Sequence, residues 1–259
     1  MHVGVILGDP KLPYPYGLDG KFGSDDLEAM DQLREALARL ERFTFSYFDD
    51  HQTLIDDIRA KRPDLVLNLC DTGFENRWEH ERNVPALLEI LHVPYTGADP
   101  QGMVLSNDKA LVSAAARLRG VPVPNHLFVD LTADPMVVPM TYPSLIKPNV
   151  SAGSFGITAK SVVRDAKEAD AYLRWLSPRL EVPEALIQDY LEGDEYTVGV
   201  LGNAPDDLEI LPPLEIDWSA LDPSLPRILT HASKADPDSP YWKDLSYRRA
   251  EVDEVTRAE

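Results

Sequence analysis

The first pattern in this chain that could do chemistry is a lysine followed by small residues. Residues 142–157 read YPSLIKPNVSAGSFGI, with Lys147 closing an apolar run and Gly153, Ser154 and Gly156 following shortly after. Backbone N–H groups converge on phosphate oxygens only where side chains are small, and the Ser154 hydroxyl adds a donor. The same letters also describe an edge lysine that discourages strand pairing, followed by a surface turn. The loop fits neither G-x-x-x-x-G-K-[ST] nor G-x-G-x-x-G. A second lysine, Lys109 in SNDKALV, opens a helix. A cation there opposes the helix dipole unless an anion is bound, and pairing with Asp108 or solvent is the alternative. A third segment, LIQDYLEGDEYTVGVLG at 186–202, places Gly193, Asp194 and Glu195 between two strand-like runs. It reads either as a hairpin with a solvated acidic tip or as a hinge. In the hinge reading the backbone edge hydrogen-bonds a purine and Glu195 accepts from ribose hydroxyls.

These residues need a scaffold, and the pattern along the chain supplies one. Residues 2–8, HVGVILG, read as a buried strand stopped by Gly8-Asp9-Pro10. After a Pro-, Tyr- and Gly-rich loop, Ser24-Asp25-Asp26 starts a helix in which Leu27, Met30, Leu33, Leu37 and Leu40 recur at helical spacing. RFTFSYF reads as a second strand, TLIDDIRAKR as a helix, and DLVLNLC as a third strand buried on both sides. Alternation of this kind specifies a parallel sheet with crossover helices, whose ligands gather at the carboxyl ends of the strands. The loops at 9–23 and 71–83 are therefore candidate ligand walls.

VPALLEILHVPYTGADP reads as a helix, a short strand and a turn, and a boundary falls near residue 104. Beyond it KALVSAAARLRG is a helix closed by Gly120, and DAKEADAYLRWL is another. HLFVD, PSLIKP, GITAKSV, ALIQDYL, YTVGVLG and LEILPPLEI read as strands, 223–242 as loop, and 244–259 as a charged helix.

Bulk properties narrow the function classes. A hydrophobic fraction of 44% and a charged fraction of 27% are those of a globular protein. The formal net charge of -19 repels nucleic acid and anionic membranes, so neither is expected as a partner. Cys70 is the single cysteine, which excludes an internal disulfide or a multi-cysteine metal site. With no apolar run near ~18 residues and no secretory leader, a cytoplasmic protein is expected.

VPALLEILHVPYTGADPQGMVLSNDKALVSAAARLRGVPVP (84–124), YPSLIKPNVSAGSFGI and IQDYLEGDEYTVGVLG together resemble the ATP-grasp superfamily, most of all its D-alanine–D-alanine ligase branch. The resemblance implies an α/β fold. A Rossmann-like, pre-ATP-grasp domain (1–104) would precede an ATP-grasp α+β domain, made of a central subdomain (105–187) and the start of the large subdomain (188–259). It implies ATP and Mg²⁺ as cofactors and small-molecule carboxylate and amine substrates, joined as an amide through an acyl phosphate. Homodimers are common in the family, with the 30s helix or the 84–91 helix as candidate contacts.

Residue by residue, Lys109 and Lys147 resemble the two phosphate-binding lysines, and Gly153, Ser154, Phe155, Gly156 and Ile157 the loop over the β- and γ-phosphates. Gln188, Asp189, Tyr190 and Leu191 resemble the adenine-binding linker, with Gln188 where the family usually has Glu. Glu195 resembles the ribose-binding glutamate. Lys234, in THASKADPDSPYW, resembles the lysine that reaches the γ-phosphate, and with Ser154 it is implied as a catalytic group.

Three segments depart from the family. The first loop, GDPKLPYPYGLDGKFGSDD, has no Ser-Glu pair, and CDTGFENRWEHERN has no His-Gly segment, so the resemblance does not extend to D-alanine as substrate. Glu75, Glu79 and Glu81 are alternative holders of an amino group, or helix-start carboxylates facing solvent. The sequence closes on YRRAEVDEVTRAE, before the strands that carry the family's metal ligands. The metal ligands are thus unknown, the C-terminal part is expected to be incomplete, and the chain alone is expected to be weakly active or inactive. A non-catalytic nucleotide-binding or regulatory protein on the same fold is the alternative.

Overall fold

The computed structural model describes residues 1–15, 17–133, 141–203 and 207–252. It divides into two compact units, Met1–Val112 and Ser113–Glu259.

In the first unit, β1 (His2–Ile6) is followed by α1 (Ser24–Ala38), β2 (Thr44–Phe48), α2 (Leu54–Lys61), β3 (Leu65–Asn68), α3 (Asn83–Ile90) and α4 (Pro100–Asn107). The three strands form a parallel sheet in the order β2-β1-β3, as the alternation of strand and helix requires. Central β1 is covered on both faces. Ile6, Phe48, Leu54, Ile58, Val66, Val84 and Leu88 close into one core. In β3 only Val66 is fully buried, because the strand lies beside β1 and a single bridge to Tyr95, so the expected strand after α3 reduces to that bridge. The leucine stripe of α1 is only half-covered, through Met30, Leu33 and Leu37, and no α1 residue is fully buried.

The helix α5 (Lys109–Leu118) leads into the second unit. There β4 (His126–Asp130), β5 (Ser144–Pro148), β6 (Val162–Val163), α6 (Ala166–Leu176) and β7 (Glu184–Asp189) build an antiparallel sheet in the order β4-β7-β5-β6, with α6 on one face. Residues Val129, Ile146, Ala185 and Ile187 point into that helix and pack on Tyr172, Leu173 and Leu176. Strand side chains alternate between faces. The opposite face therefore carries Leu145 and Lys147 from β5, with their cross-strand partners Gln188 and Leu186 from β7. The run GITAKSV contributes only the two residues of β6, since Ala159–Ser161 form a 3-10 turn.

Next come β8 (Tyr196–Thr197), β9 (Val200–Asn203), β10 (Asp207–Ile210), β11 (Leu214–Asp217), the one-turn helices α7 (Ala232–Ala235) and α8 (Pro240–Lys243), and β12 (Ser246–Arg249). The run LEILPPLEI splits into β10 and β11, because the prolines at 212 and 213 have no N–H to give a ladder. The helix expected over 244–259 is absent over Ser246–Arg249, which pair antiparallel with β11. Leu214↔Arg249 and Glu215↔Arg248 are in register, and Arg248 bonds Glu215 at 2.7 Å. A cross-strand ion pair outweighs the helical propensity of a charged run. The rest of that expected helix, 253–259, lies outside the described residues.

Candidate functional site

Lys147 stands on the face of the β4-β7-β5-β6 sheet away from α6, half-buried. Desolvation there lowers its pKa below the usual lysine range, and the charge of Glu195 offsets this. Glu195 keeps solvent contact, but the protein around it raises its pKa, against the pull of Lys234 and then Lys147. Lys147, Glu195 and Lys234 thus share one electrostatic neighbourhood, although they come from β5, the end of the 186–202 segment and α7. Glu195 is also fixed through its backbone, where its carbonyl accepts from Ile216 N at 3.0 Å.

The loop after β5 is built around left-handed backbone, with φ of 58° at Gly153, 60° at Ser154 and 74° at Gly156. Phe155 N donates to Ala152 O at 3.0 Å, and Ile157 N to Ser154 O at 2.9 Å. The N–H groups of Gly153, Ser154 and Gly156 meet no backbone acceptor among the described residues. Glycine is required at 156: a Cβ there would lie 2.7 Å from Pro148 Cγ and 3.0 Å from Leu176 Cδ1. The loop's far half is tied down. Tyr172 OH donates to Gly156 O at 2.8 Å and receives from Ser161 Oγ at 2.7 Å. Ile157 O accepts from His231 N at 2.9 Å, and the Phe155 ring meets His231 edge-on. The loop and the segment bearing Lys234 are therefore joined through Ile157 and Phe155.

The 188–191 linker is equally constrained. Gln188 pairs with Leu145 and His126 across the sheet, and Asp189 receives bonds from Asn125 Nδ2 (2.9 Å) and Thr141 Oγ1 (3.1 Å). The Tyr190 backbone N–H donates to Pro143 O at 3.2 Å, and Leu191 is 67% exposed. Lys109 opens α5, half-buried, in the first unit. Glu215 and Asp217, the other carboxylates of this region, face Arg248 at 2.7 and 3.4 Å.

In the first unit, pattern reading missed a buried polar cluster behind the two strand-end loops. Asp9, His51 and Asn76 are each at most 2% exposed. The Asn76 amide accepts from Asp9 N at 2.9 Å and donates to Asp9 O at 2.7 Å and Pro13 O at 3.2 Å. The Asp9 carboxylate accepts from Lys11 N and His51 N, both at 2.9 Å. His51 Nδ1 accepts from Glu75 N at 2.7 Å, so the proton sits on Nε2, which donates to Leu7 O at 2.9 Å. One asparagine and one histidine thereby hold the loops at 9–13 and 71–76 together. Cys70, beside them, is an inert thiol whose pKa burial pushes up to about 12.

A cavity of about 480 Å³ in this unit is lined by Asp71, Glu81, Asn107 and the carboxyl end of β3. Of the three glutamates singled out above, Glu81 reaches it. Glu75 is exposed, and Glu79 lies 3.9 Å from Arg77. Burial and then the Asp71 charge raise the Glu81 pKa, while the Asn107 side chain donates to it.

Two measurements test these placements. Asn76→Ala leaves the Asp9 N–H without its acceptor, while the Asp9 carbonyl keeps Leu12 N at 3.2 Å, and is expected to lower stability by about 1–3 kcal/mol in chemical denaturation. Glu81 binds its proton more tightly folded than unfolded, so its ionised form opposes folding at neutral pH. Glu81→Gln is therefore expected to raise Tm at pH 8, with the gain shrinking as pH falls towards the ordinary glutamate value of 4.5. A gain independent of pH would contradict this reading.

No family model matches the chain. It is 32% identical over 173 residues to a D-alanine–D-alanine ligase of Coprothermobacter proteolyticus, covering 62% of this chain and 52% of the relative. To that of Sinorhizobium fredii it is 27% identical over 203 residues, covering 78% and 60%. The chain spans about half the length of the curated relatives it matches. Among solved structures, the D-alanine–D-alanine ligase from Bacillus anthracis superposes with a TM-score of 0.68 at 18% identity, covering 100% of this chain and 74% of that one. The same ligase complexed with ATP gives 0.65, again at 18% identity, covering 100% and 73%. By sequence this chain is similar to D-alanine–D-alanine ligases, and it has the ATP-grasp fold.

Proposed function

We propose that this chain binds ATP and acts within an ATP-dependent carboxylate–amine ligase. The observation that carries the reading is Lys147. It is a desolvated cation on the sheet face away from α6, with the N–H groups of Gly153, Ser154 and Gly156, which meet no backbone acceptor among the described residues, at the same strand's exit, and with Glu195, itself in the field of Lys234, within electrostatic reach. A triphosphate answers the cations and the N–H groups, and the ribose hydroxyls of the same nucleotide answer the Glu195 carboxylate. Gln188–Leu191 would carry the adenine, Glu195 the ribose hydroxyls, and Lys147, Lys109 and the 153–157 loop the phosphates. Lys234 and Ser154 would act at the γ-phosphate.

In the reaction a carboxylate oxygen attacks the γ-phosphorus, ADP leaves, and an amine then displaces phosphate from the acyl phosphate to form the amide. Positioning and charge neutralisation supply most of the catalysis in such a transfer. We assign residues 105–187 and 188–259 to the two ATP-grasp subdomains. The one buried cysteine suits a reducing cytoplasm. Among the described residues no group of three or more His, Cys, Asp or Glu side chains is arranged to hold a metal, and Arg248 engages Glu215 and Asp217. No helix among the described residues is long and apolar enough to cross a membrane.

The loops at 9–23 and 71–83, which lack the ligase branch's substrate motifs, favour the second reading of a nucleotide-binding protein without catalysis. A phosphate-release assay on the full-length protein, with Mg-ATP and a panel of D- and L-amino acids, separates the two. Amine-dependent release is expected for the ligase, whereas ATP binding with no release would leave only the second reading. Lys147→Met is expected to weaken ATP binding about tenfold or more. Because it removes a desolvated charge, it should leave Tm unchanged or higher. Unaltered ATP affinity in calorimetry would remove the nucleotide reading altogether.

A further inference from the structure

A second cavity, of about 420 Å³, lies in the second unit, and none of Lys147, the 153–156 loop or Glu195 lines it. Its walls bring together Arg164, after β6; Tyr190 and Glu192, after β7; and Trp218, Asp222 and Arg227, after β11. Neither guanidinium has a carboxylate within ion-pair distance among the described residues. Both nevertheless act on one point. Burial and the Glu192 charge raise the pKa of the Tyr190 phenol, and the backbone bond from Arg227 and then the charges of Arg227 and Arg164 oppose that rise. Asp222, whose carboxylate accepts from Ser224 N at 2.8 Å, is not within ion-pair distance of either among the described residues.

Trp218 adds a second, independent observation. It is 5% exposed, and its indole N–H has no acceptor among the described residues. Buried donors in native proteins nearly always have a partner, so an orphan at the wall of a cavity calls for one. Leucines 221 and 225 give the same cavity an apolar side.

We propose that this cavity is a binding site for a small organic carboxylate. Its oxyanion is shared by Arg164 and Arg227, and its apolar body lies against Trp218. Guanidinium forks match a planar carboxylate in geometry. The formal charges of Arg164, Arg227, Glu192 and Asp222 cancel in a chain that carries -19 overall, and the negative field of the chain opposes a phosphate dianion more strongly than a monoanion. Tyr190 OH receives from Arg227 N at 3.1 Å and donates to Arg227 O at 3.3 Å, so an occupant that holds Arg227 also steadies the wall formed by Tyr190.

The test follows the indole N–H resonances of the ¹⁵N-labelled protein, with the Trp218 signal assigned by its loss in Trp218→Phe. Three probes are titrated: benzoate, its neutral analogue benzyl alcohol, and inorganic phosphate. Benzoate is expected to shift the Trp218 signal saturably, and the other two are not. Arg164→Gln and Arg227→Gln, both at exposed positions, should each weaken benzoate about fivefold or more, with Arg227→Lys intermediate. The proposal is overturned if benzoate gives no saturable shift, if benzyl alcohol or phosphate gives the same one, or if both Gln variants bind benzoate as the parent does.

Discussion

A lysine taken out of water without a carboxylate bonded to it is costly, and Lys147 is in that position because of strand geometry. Its neighbours on β5, Ile146 and Pro148, must point into the core under α6, so the alternation of the strand leaves Lys147 no choice but the opposite face. Much else in the second unit makes sense as accommodation of that charge. Glu195 stands within its field, and Lys234 acts on the same carboxylate. The loop that leaves the same strand turns through three left-handed residues, and its N–H groups are kept out of ladders and helices. Tyr172 and His231 then hold the far side of that loop, so the cradle is supported by the α6 core.

The first unit solves a different problem with the same economy. A parallel sheet delivers its strand ends to one edge, but loops as long as 9–23 and 71–83 cost conformational entropy to order. The Asp9–His51–Asn76 cluster offsets that cost by satisfying backbone groups that would otherwise be buried without partners. The loops are thus held from behind, which leaves Asp71 and Glu81 on the cavity side.

Periodic elements were legible in the sequence. Alternation in RFTFSYF and helical spacing in TLIDDIRAKR and DAKEADAYLRWL match β2, α2 and α6, because each buries one face against a neighbour in the same unit. Reading failed where the outcome hung on a distant partner. The charged run at 246–249 is a strand because β11 offers Glu215 to Arg248. GITAKSV looks like a strand, yet Thr158 and Ser161 bond each other's backbone and form a turn instead. His51 and Asn76 carry no motif at all, since what they bond is the main chain of loops far away in sequence.

By itself the sequence determined the sheet-and-helix order of the first unit, its parallel sheet and the identity of a lysine–glycine pattern, all of which rest on local backbone preference or on period. Only the tertiary structure decided which face Lys147 occupies relative to the α6 core. It also decided that Glu195 lies in the field of both Lys147 and Lys234, that Glu81 rather than Glu75 or Glu79 reaches a cavity, and that Arg164 and Arg227 line one cavity with Tyr190. Burial and electrostatic neighbourhood are properties of residues brought together from far along the chain. No window of sequence contains both partners, so these features became visible only once the chain was folded.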